Sequence, residues 1–401
     1  MQLGSEERQK VIDSASILLR LAFPLKGPNH LYSRWAECQK YIQHGISSAR
    51  WFERLTSAGQ EVASSPSFIS CITDCAWYLI EVGNGRDACS VLEIALNASE
   101  SKLDLEESHL LNALGMAYFH LNQLPKCHKA LIKSLRIRES ILEPNDLYLA
   151  ASFQNIGNIE SAEGNFESAI RNFEKSISIR EAHDNDSSGD LTIEMSKEEK
   201  NRLTSTSTAY LSKARAHLGA KDYDLTISSL RTSQIFWERA QSQSALEYFA
   251  NYLYGNLYLA TQDYDAAIAI YQKTLEHVQQ RVPGSSMEVS IHYKISIAEF
   301  RKGNLEAAMS SLSTELQKVR LKQDCLGHQA RMFRRKAQII KYAQERGGRA
   351  IWLDSVDTPS PEELMSRADG IRRQLQGARY LICETKDEET CFETLVSPFE
   401  R

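Results

Sequence analysis

Proline and glycine are scarce here, 9 and 19 in 401 residues. That is too few for the turn-rich connections of a β-sandwich or barrel, so the punctuation favours helices. No charge sign dominates: 47 Lys and Arg against 52 Asp and Glu leave −5, which argues against a nucleic-acid or anionic-membrane partner. Long apolar runs are missing too. The most apolar early stretch, residues 17–23, is interrupted by Arg20 and ended by Pro24, far short of the ~20 residues a spanning helix needs. The first ten residues, MQLGSEERQK, are polar and mixed in charge, so no secretory or transit signal is expected. The 8 cysteines are scattered through helical patterns, which predicts reduced thiols and a cytoplasmic (or nuclear) setting. G-x-x-x-x-G-K-[ST], H-E-x-x-H and G-x-S-x-G are all absent. Neither an enzyme nor a cofactor or metal is therefore expected. What remains, 42% hydrophobic and 25% charged residues, is enough for a folded core and excludes wholesale disorder.

What is present is an internal repeat. Six segments, 76–96, 114–135, 156–177, 213–234, 254–275 and 295–316, align with a small residue, another twelve later and a third seven after that. The first position reads Ala76, Gly115, Gly157, Ala214, Gly255 and Ser296. The second reads Ala88, Cys127, Ala169, Thr226, Ala267 and Ala308; the third reads Ala95, Ser134, Ser176, Ser233 and Thr274, then breaks at Glu315. Two antiparallel helices whose axes approach within ~8–10 Å leave no room for bulk at the crossing. Large residues stand between the small ones: Leu92, Leu131, Phe173, Leu230, Tyr271 and Leu312. Gly164-Asn165-Phe166, Asp222-Tyr223, Asp263-Tyr264 and Gly303-Asn304-Leu305 mark the turns.

With Gly255, Tyr258, Asp263, Tyr264, Ala267 and Tyr271 all in place, 248–277 resembles the tetratricopeptide repeat (TPR) family, and the likeness extends over about 69–320. Intervals of 39, 42, 57, 41 and 41 residues between first small positions are similar to the long-repeat variety of kinesin light chains and signalling-NTPase tails. LLRLAFP at 18–24 and RWAECQKYIQHG at 34–45 resemble lead-in helices of fungal signalling NTPases. The resemblance implies an all-α protein, an α-solenoid of about six helix pairs wound as a right-handed superhelix. Residues 1–66 and 326–380 are expected as helical caps, because repeat arrays need atypical ends. The array occupies 67–325, with an insert loop at 183–200 and a loosely held tail at 381–401. Within 326–380, a loop is expected before Pro361 and a helix stop at Gly377.

Several motifs mimic chemistry. Gly83-Asn84-Gly85-Arg86-Asp87-Ala88 spells a dinucleotide fingerprint, but it follows a helical pattern where a β-strand is required, so an interhelical turn is expected. Asp184 to Asp190 mimics a calcium loop but lacks the closing Glu, Met195 standing at position twelve. Cys71 with Cys75, and His109, His120, Cys127 and His128, lack zinc spacing or carboxylate partners and read as packing or surface residues.

In TPR proteins the first helices line a concave groove, and side chains three before and one after the first small position point into it. Carried onto this sequence, the resemblance nominates Trp77, Asn112, Gln154, Asn158, Arg215, Tyr252, Asn256 and Tyr293, with Asn155 and Lys294 flanking. Amides that both donate and accept suit the backbone of a protein or peptide partner. Trp and Tyr are the anchors enriched at hot spots. The expected function is a non-catalytic scaffold or adaptor that binds a peptide or partner domain. The alternative is a ligand-sensing regulator acting on an NTPase or transcription regulator in trans.

Overall fold

The computed structural model describes residues 4–27, 30–31, 34–99, 104–185, 195–241, 246–281, 283–319, 325–346, 359–379 and 388–401. Among the described residues there are seventeen α-helices and no strand. Two compact units result: residues 1–120 with 124–246, and 247–401 together with 121–123.

Unit 1 opens with α1 (Ser5–Ala22) and α2 (Trp35–Ser57), at the two helical patterns read from the sequence. Four hairpins follow: α3 (Pro66–Glu81) with α4 (Gly85–Ala98), α5 (Leu105–His120) with α6 (Leu124–Ile141), α7 (Leu147–Glu163) with α8 (Phe166–Asn185), and α9 (Lys197–Gly219) with α10 (Tyr223–Arg239). Unit 2 holds α11 (Leu246–Ala260) with α12 (Tyr264–Arg281), α13 (Ser286–Lys302) with α14 (Leu305–Val319), and α15 (Leu326–Glu345) with α16 (Pro361–Arg379). It closes with the short α17 (Glu388–Glu393) and a 3-10 turn at Pro398–Glu400.

Local chemistry sets the helix starts. The Ser65 hydroxyl accepts from the Phe68 amide with Pro66 in the first turn, Asp146 accepts from Tyr148, and Ser196 accepts from Glu199. The turns of the six repeat hairpins share one device: a left-handed residue at Gly83, Asn122, Gly164, Lys221, Gln262 and Gly303, each seven after the first small position.

The repeat positions are the crossings. Ala76, Ala88, Ala95, Cys127, Ser134, Ala169, Ser176, Ala214, Thr226, Ala267, Thr274, Ser296 and Ala308 are all fully buried. A Cβ added at Gly115 would come within 2.6 Å of Leu131, and one at Gly157 within 2.6 Å of Phe173. The large residues of the template therefore fill the space the glycines leave. Hydroxyls at the third small position also cross the hairpin: Ser134 donates to the Ser108 carbonyl (2.7 Å) and Ser233 to that of Ser207 (3.0 Å).

Four expectations need correction. The insert is shorter than 183–200: α8 runs to Asn185 and α9 starts at Lys197, since both flanks keep helical residues. Most of the calcium-like run, 186–190, lies outside the described residues, as does most of the loop before Pro361. Gly377 does not stop α16, which continues to Arg379. The C-terminal segment is not loosely held over residues 392–396: Phe392, Leu395 and Val396 are at most 3% exposed, and Phe392 and Leu395 pack into the α15–α16 core. Cys391, expected as a thiol, is disulfide-bonded, while Cys38, Cys71, Cys75, Cys89, Cys127 and Cys325 are free and buried.

Candidate functional site: the first-helix faces

The nominated side chains of unit 1 meet one another across successive repeats. Asn155 on α7 donates its amide to Asn112 Oδ1 on α5 at 3.0 Å. Arg215 on α9 donates to Asn158 Oδ1 on α7 at 2.7 Å. Gln154 accepts from Arg180 at 3.4 Å. Asn112, Gln154 and Asn158 are buried, whereas Asn155 and Arg215 are half-buried. Burial pulls the Arg215 pKa down to about 10, so its carbonyl-type partner is what a desolvated guanidinium requires.

Trp77 lies under the loop that follows α1, with the Lys26 ammonium 4.7 Å from its ring. Burial, opposed by Glu81 and Asp74, brings the Lys26 pKa down to about 8. Asp74 accepts from the Lys26 amide at 3.1 Å, and burial raises its pKa to about 6. Glu81 takes the Leu31 amide at 3.0 Å, the Trp35 indole at 3.0 Å and His30 Nδ1 at 3.2 Å. Burial works to raise the Glu81 pKa, and His30, Lys26 and Trp35 outweigh it, so the carboxylate is held below its usual range. The N-terminal segment thus contributes to this face as well as covering α3.

Sequence reasoning missed Arg138 and Arg180, which come from second helices. Arg138 is 2% exposed and donates to Ser152 Oγ (2.8 Å), the Tyr148 carbonyl (3.0 Å), Ser108 Oγ (3.2 Å) and His109 Nδ1 (2.8 Å). The His109 ring also packs against that of Tyr148, tilted by 52° with the centroids 4.3 Å apart. Burial and then Arg138 push its pKa down to about 3, so the ring is neutral. A signal was available: Ile-Arg-Glu recurs at 137–139 and 179–181, at the repeat's own interval of 42.

In unit 2, Tyr252 and Asn256 turn toward their own hairpin. Tyr252 is 3% exposed and packs 5.9 Å from the Tyr271 ring, whose hydroxyl donates to Asn256 at 2.7 Å. Tyr293 behaves differently. Its hydroxyl donates to Glu393 Oε1 at 2.6 Å, and the Arg331 guanidinium lies 4.3 Å above its ring. Arg331, with its side chain fully buried, reaches Glu393 Oε2 at 3.3 Å and donates to Ser290 Oγ at 3.0 Å. A nominated binding residue is therefore already engaged by the chain's own C-terminal segment.

Among the described residues, one set of side chains has the spacing of metal ligands. Glu288, His292 and Glu315 bring one ligand atom each within 4.8 Å of the others. The Lys318 ammonium sits 3.1 Å from both carboxylates, and so supplies the positive charge a metal would bring. Glu315 is where the small-residue pattern breaks, and its pairing with Lys318 and His292 accounts for a carboxylate at a buried crossing. The dinucleotide-like run 83–88 is a turn: Asn84 caps α4 by accepting from the Asp87 amide, and α3 precedes it.

Two segments, 106–182 and 250–276, match protein-family models described as tetratricopeptide repeat. The chain carries tetratricopeptide repeats. The structure of a Rap protein complexed with competence and sporulation factor is 8% identical, covers 97% of this TPR chain and 98% of its own, and superposes with a TM-score of 0.55. NprR in complex with its cognate peptide NprX is 10% identical over 88% of this chain and 95% of its own, with a TM-score of 0.53. Those likenesses are of fold alone, at 8% and 10% identity. No curated protein matches the sequence. Among the described residues, no helix is long and apolar enough to cross a membrane.

Proposed function

We propose that this protein is a non-catalytic binding module that holds a peptide, or an extended segment of a protein partner, against its first helices. The observation that carries this reading is the amide–guanidinium ladder of α5, α7 and α9: Asn112 with Asn155, and Asn158 with Arg215, one pair per repeat step. An amide can exchange its side-chain partner for a peptide carbonyl or N–H, and a guanidinium for a peptide carbonyl, with no change in kind of bond, so binding costs little net polar desolvation. Trp77, half-buried at the start of this face, adds an apolar anchor with a polar edge. The NprR fold neighbour was solved with its cognate peptide, which supports a peptide as the class of ligand. The empty list of catalytic motifs supports a role without turnover.

The test is a displayed random-peptide library panned on the full-length protein and on an Asn155→Ala, Arg215→Ala double variant. Enrichment is expected to fall at least tenfold in the variant while the melting temperature stays within a few degrees. An unchanged set of captured peptides overturns the reading.

A further inference from the structure

Tail docking in unit 2 has the features of a ligand in a site. Glu393 puts one carboxylate oxygen on the Tyr293 hydroxyl and the other on Arg331. Burial works to raise its pKa, and Arg331, Lys294, Tyr293 and Arg335 together hold the carboxyl below its usual range. Arg331, Arg334 and Arg335 stand on one side of α15, each at most 5% exposed, and a cluster of buried cations needs an anion close by. Phe392 fills a socket of Ala330, Ala368 and Leu375, with the Arg334 and Arg372 guanidinium groups 5.5 and 5.8 Å from its ring. Leu395 joins the same cluster. Its carbonyl lies where a Cβ at position 327 would be, so Gly327 is the residue that lets another backbone approach α15.

The segment doing this is a six-residue helix and a short turn, which carry none of the repeat positions. Tyr293 stands three before the first small position, Ser296, as Asn112 and Tyr252 stand before Gly115 and Gly255 in their repeats.

We propose that the α13–α15 face of unit 2 is a peptide-recognition site for the pattern aromatic–acidic–any–aliphatic–aliphatic, and that Phe392-Glu393-Thr394-Leu395-Val396 is its resident, displaceable occupant. The proposal rests on the peptide-binding reading above and names the ligand class for unit 2. A partner segment of this pattern replaces the resident one contact for contact: carboxylate to Arg331 and Tyr293, ring to the alanine socket, backbone to Gly327. Because the resident is tethered, its effective concentration is on the order of millimolar. A resident of micromolar intrinsic affinity therefore weakens an incoming peptide by up to about a thousandfold.

The experiment uses full-length protein without reductant, so that the Cys391 disulfide stays closed. The probe is a fluorescein-labelled peptide of residues 388–401 with serine in place of Cys391, read by fluorescence polarisation. A Phe392→Ala, Glu393→Ala, Leu395→Ala triple variant is expected to bind it at least tenfold tighter than wild type. Adding Gly327→Ala, which suits a helix in itself, is expected to abolish that binding. A folded triple variant that fails to bind, or wild type that binds equally well, overturns the proposal. Should the triple variant fail to fold, hydrogen exchange on wild type decides: amides of 390–396 are expected to exchange at least tenfold faster than those of α15, and equal protection overturns the proposal. The Asn155→Ala, Arg215→Ala variant is expected to bind the probe as wild type does, so failure of the unit 1 ladder and failure of this site give different results.

Discussion

In unit 1 the polar side chains that α5, α7 and α9 present are bonded to one another, Asn112 to Asn155 and Asn158 to Arg215. In unit 2 the corresponding Tyr293 and its neighbour Arg331 are bonded to Glu393, a residue outside the repeats. Both units are built on the same crossings, yet one satisfies its polar face from within the repeats and the other from a separate segment. The stability of the hairpins and the state of the face are thus separable properties, and the two units should respond alike to core damage and differently to polar damage.

Core damage gives the largest effect. Phe173 in unit 1 and Tyr271 in unit 2 fill the same template position against Gly157 and Gly255, and neither is accessible to solvent. Truncating either to alanine is expected to cost about 3–5 kcal/mol by chemical denaturation. A loss confined to one unit would show that the shared pattern does not reflect shared packing.

Polar damage is expected to separate the units. Arg138→Gln removes bonds to Ser152, Tyr148 and His109 and should cost about 1.5–3 kcal/mol, the range for hydrogen bonds to a charged group. That cost should be the same with or without Glu393. Arg331→Gln should couple to Glu393→Ala by about 1–3 kcal/mol in a double-mutant cycle. Coupling near zero would mean that the segment is held by its apolar side chains alone.

Acid sharpens the contrast further. The His109 pKa lies at about 3 in the fold, below its usual 6.5. On acidification the unfolded chain gains a proton before the folded one does, and stability is lost as pH falls from about 6.5 toward 3. Glu393 is held below its usual 4.5, so its contribution is complete above that value and fades as pH drops through the lower folded value. Asp74, raised to about 6 by burial, works in the opposite sense between 3.8 and 6 and tempers the His109 loss. Melting temperature followed against pH should therefore lose its upper acid window in His109→Asn and its lower one in Glu393→Gln.

How much of this was legible follows from which residues repeat. Hairpins could be read because Gly115, Gly157 and the other small residues recur at fixed intervals, and each interval is a steric requirement of a crossing. The ladder residues Asn112, Asn155, Asn158 and Arg215 could be nominated because the resemblance fixes which way a first-helix position points. Their pairing could not, since it depends on distances between repeats. Arg138 and Arg180 left a trace in the recurring Ile-Arg-Glu, but a charged residue near a helix end ordinarily reads as solvated. The C-terminal segment was illegible for a different reason. Phe392, Leu395 and Val396 repeat nothing, and a short acidic stretch with Pro398 carries the composition of a free tail.

The turns show the same limit at single-residue scale and give the smallest effect. All six repeat hairpins place a left-handed residue seven after the first small position, but glycine supplies it at 83, 164 and 303 alone. Lys221 in unit 1 has φ 67° and Gln262 in unit 2 has φ 66°, a conformation that costs a side-chain-bearing residue about 1–2 kcal/mol relative to glycine. Glycine would relieve that cost but adds freedom to the unfolded chain, worth roughly 0.4–1 kcal/mol in the other direction. Lys221→Gly and Gln262→Gly should thus each stabilise by up to about 1 kcal/mol, and by the same amount, because the turn belongs to the hairpin and not to the face it supports. A gain in Lys221→Gly unmatched by Gln262→Gly would mean that the turns, too, differ between the units, and that the repeat is a weaker guide to local structure than its spacing implies.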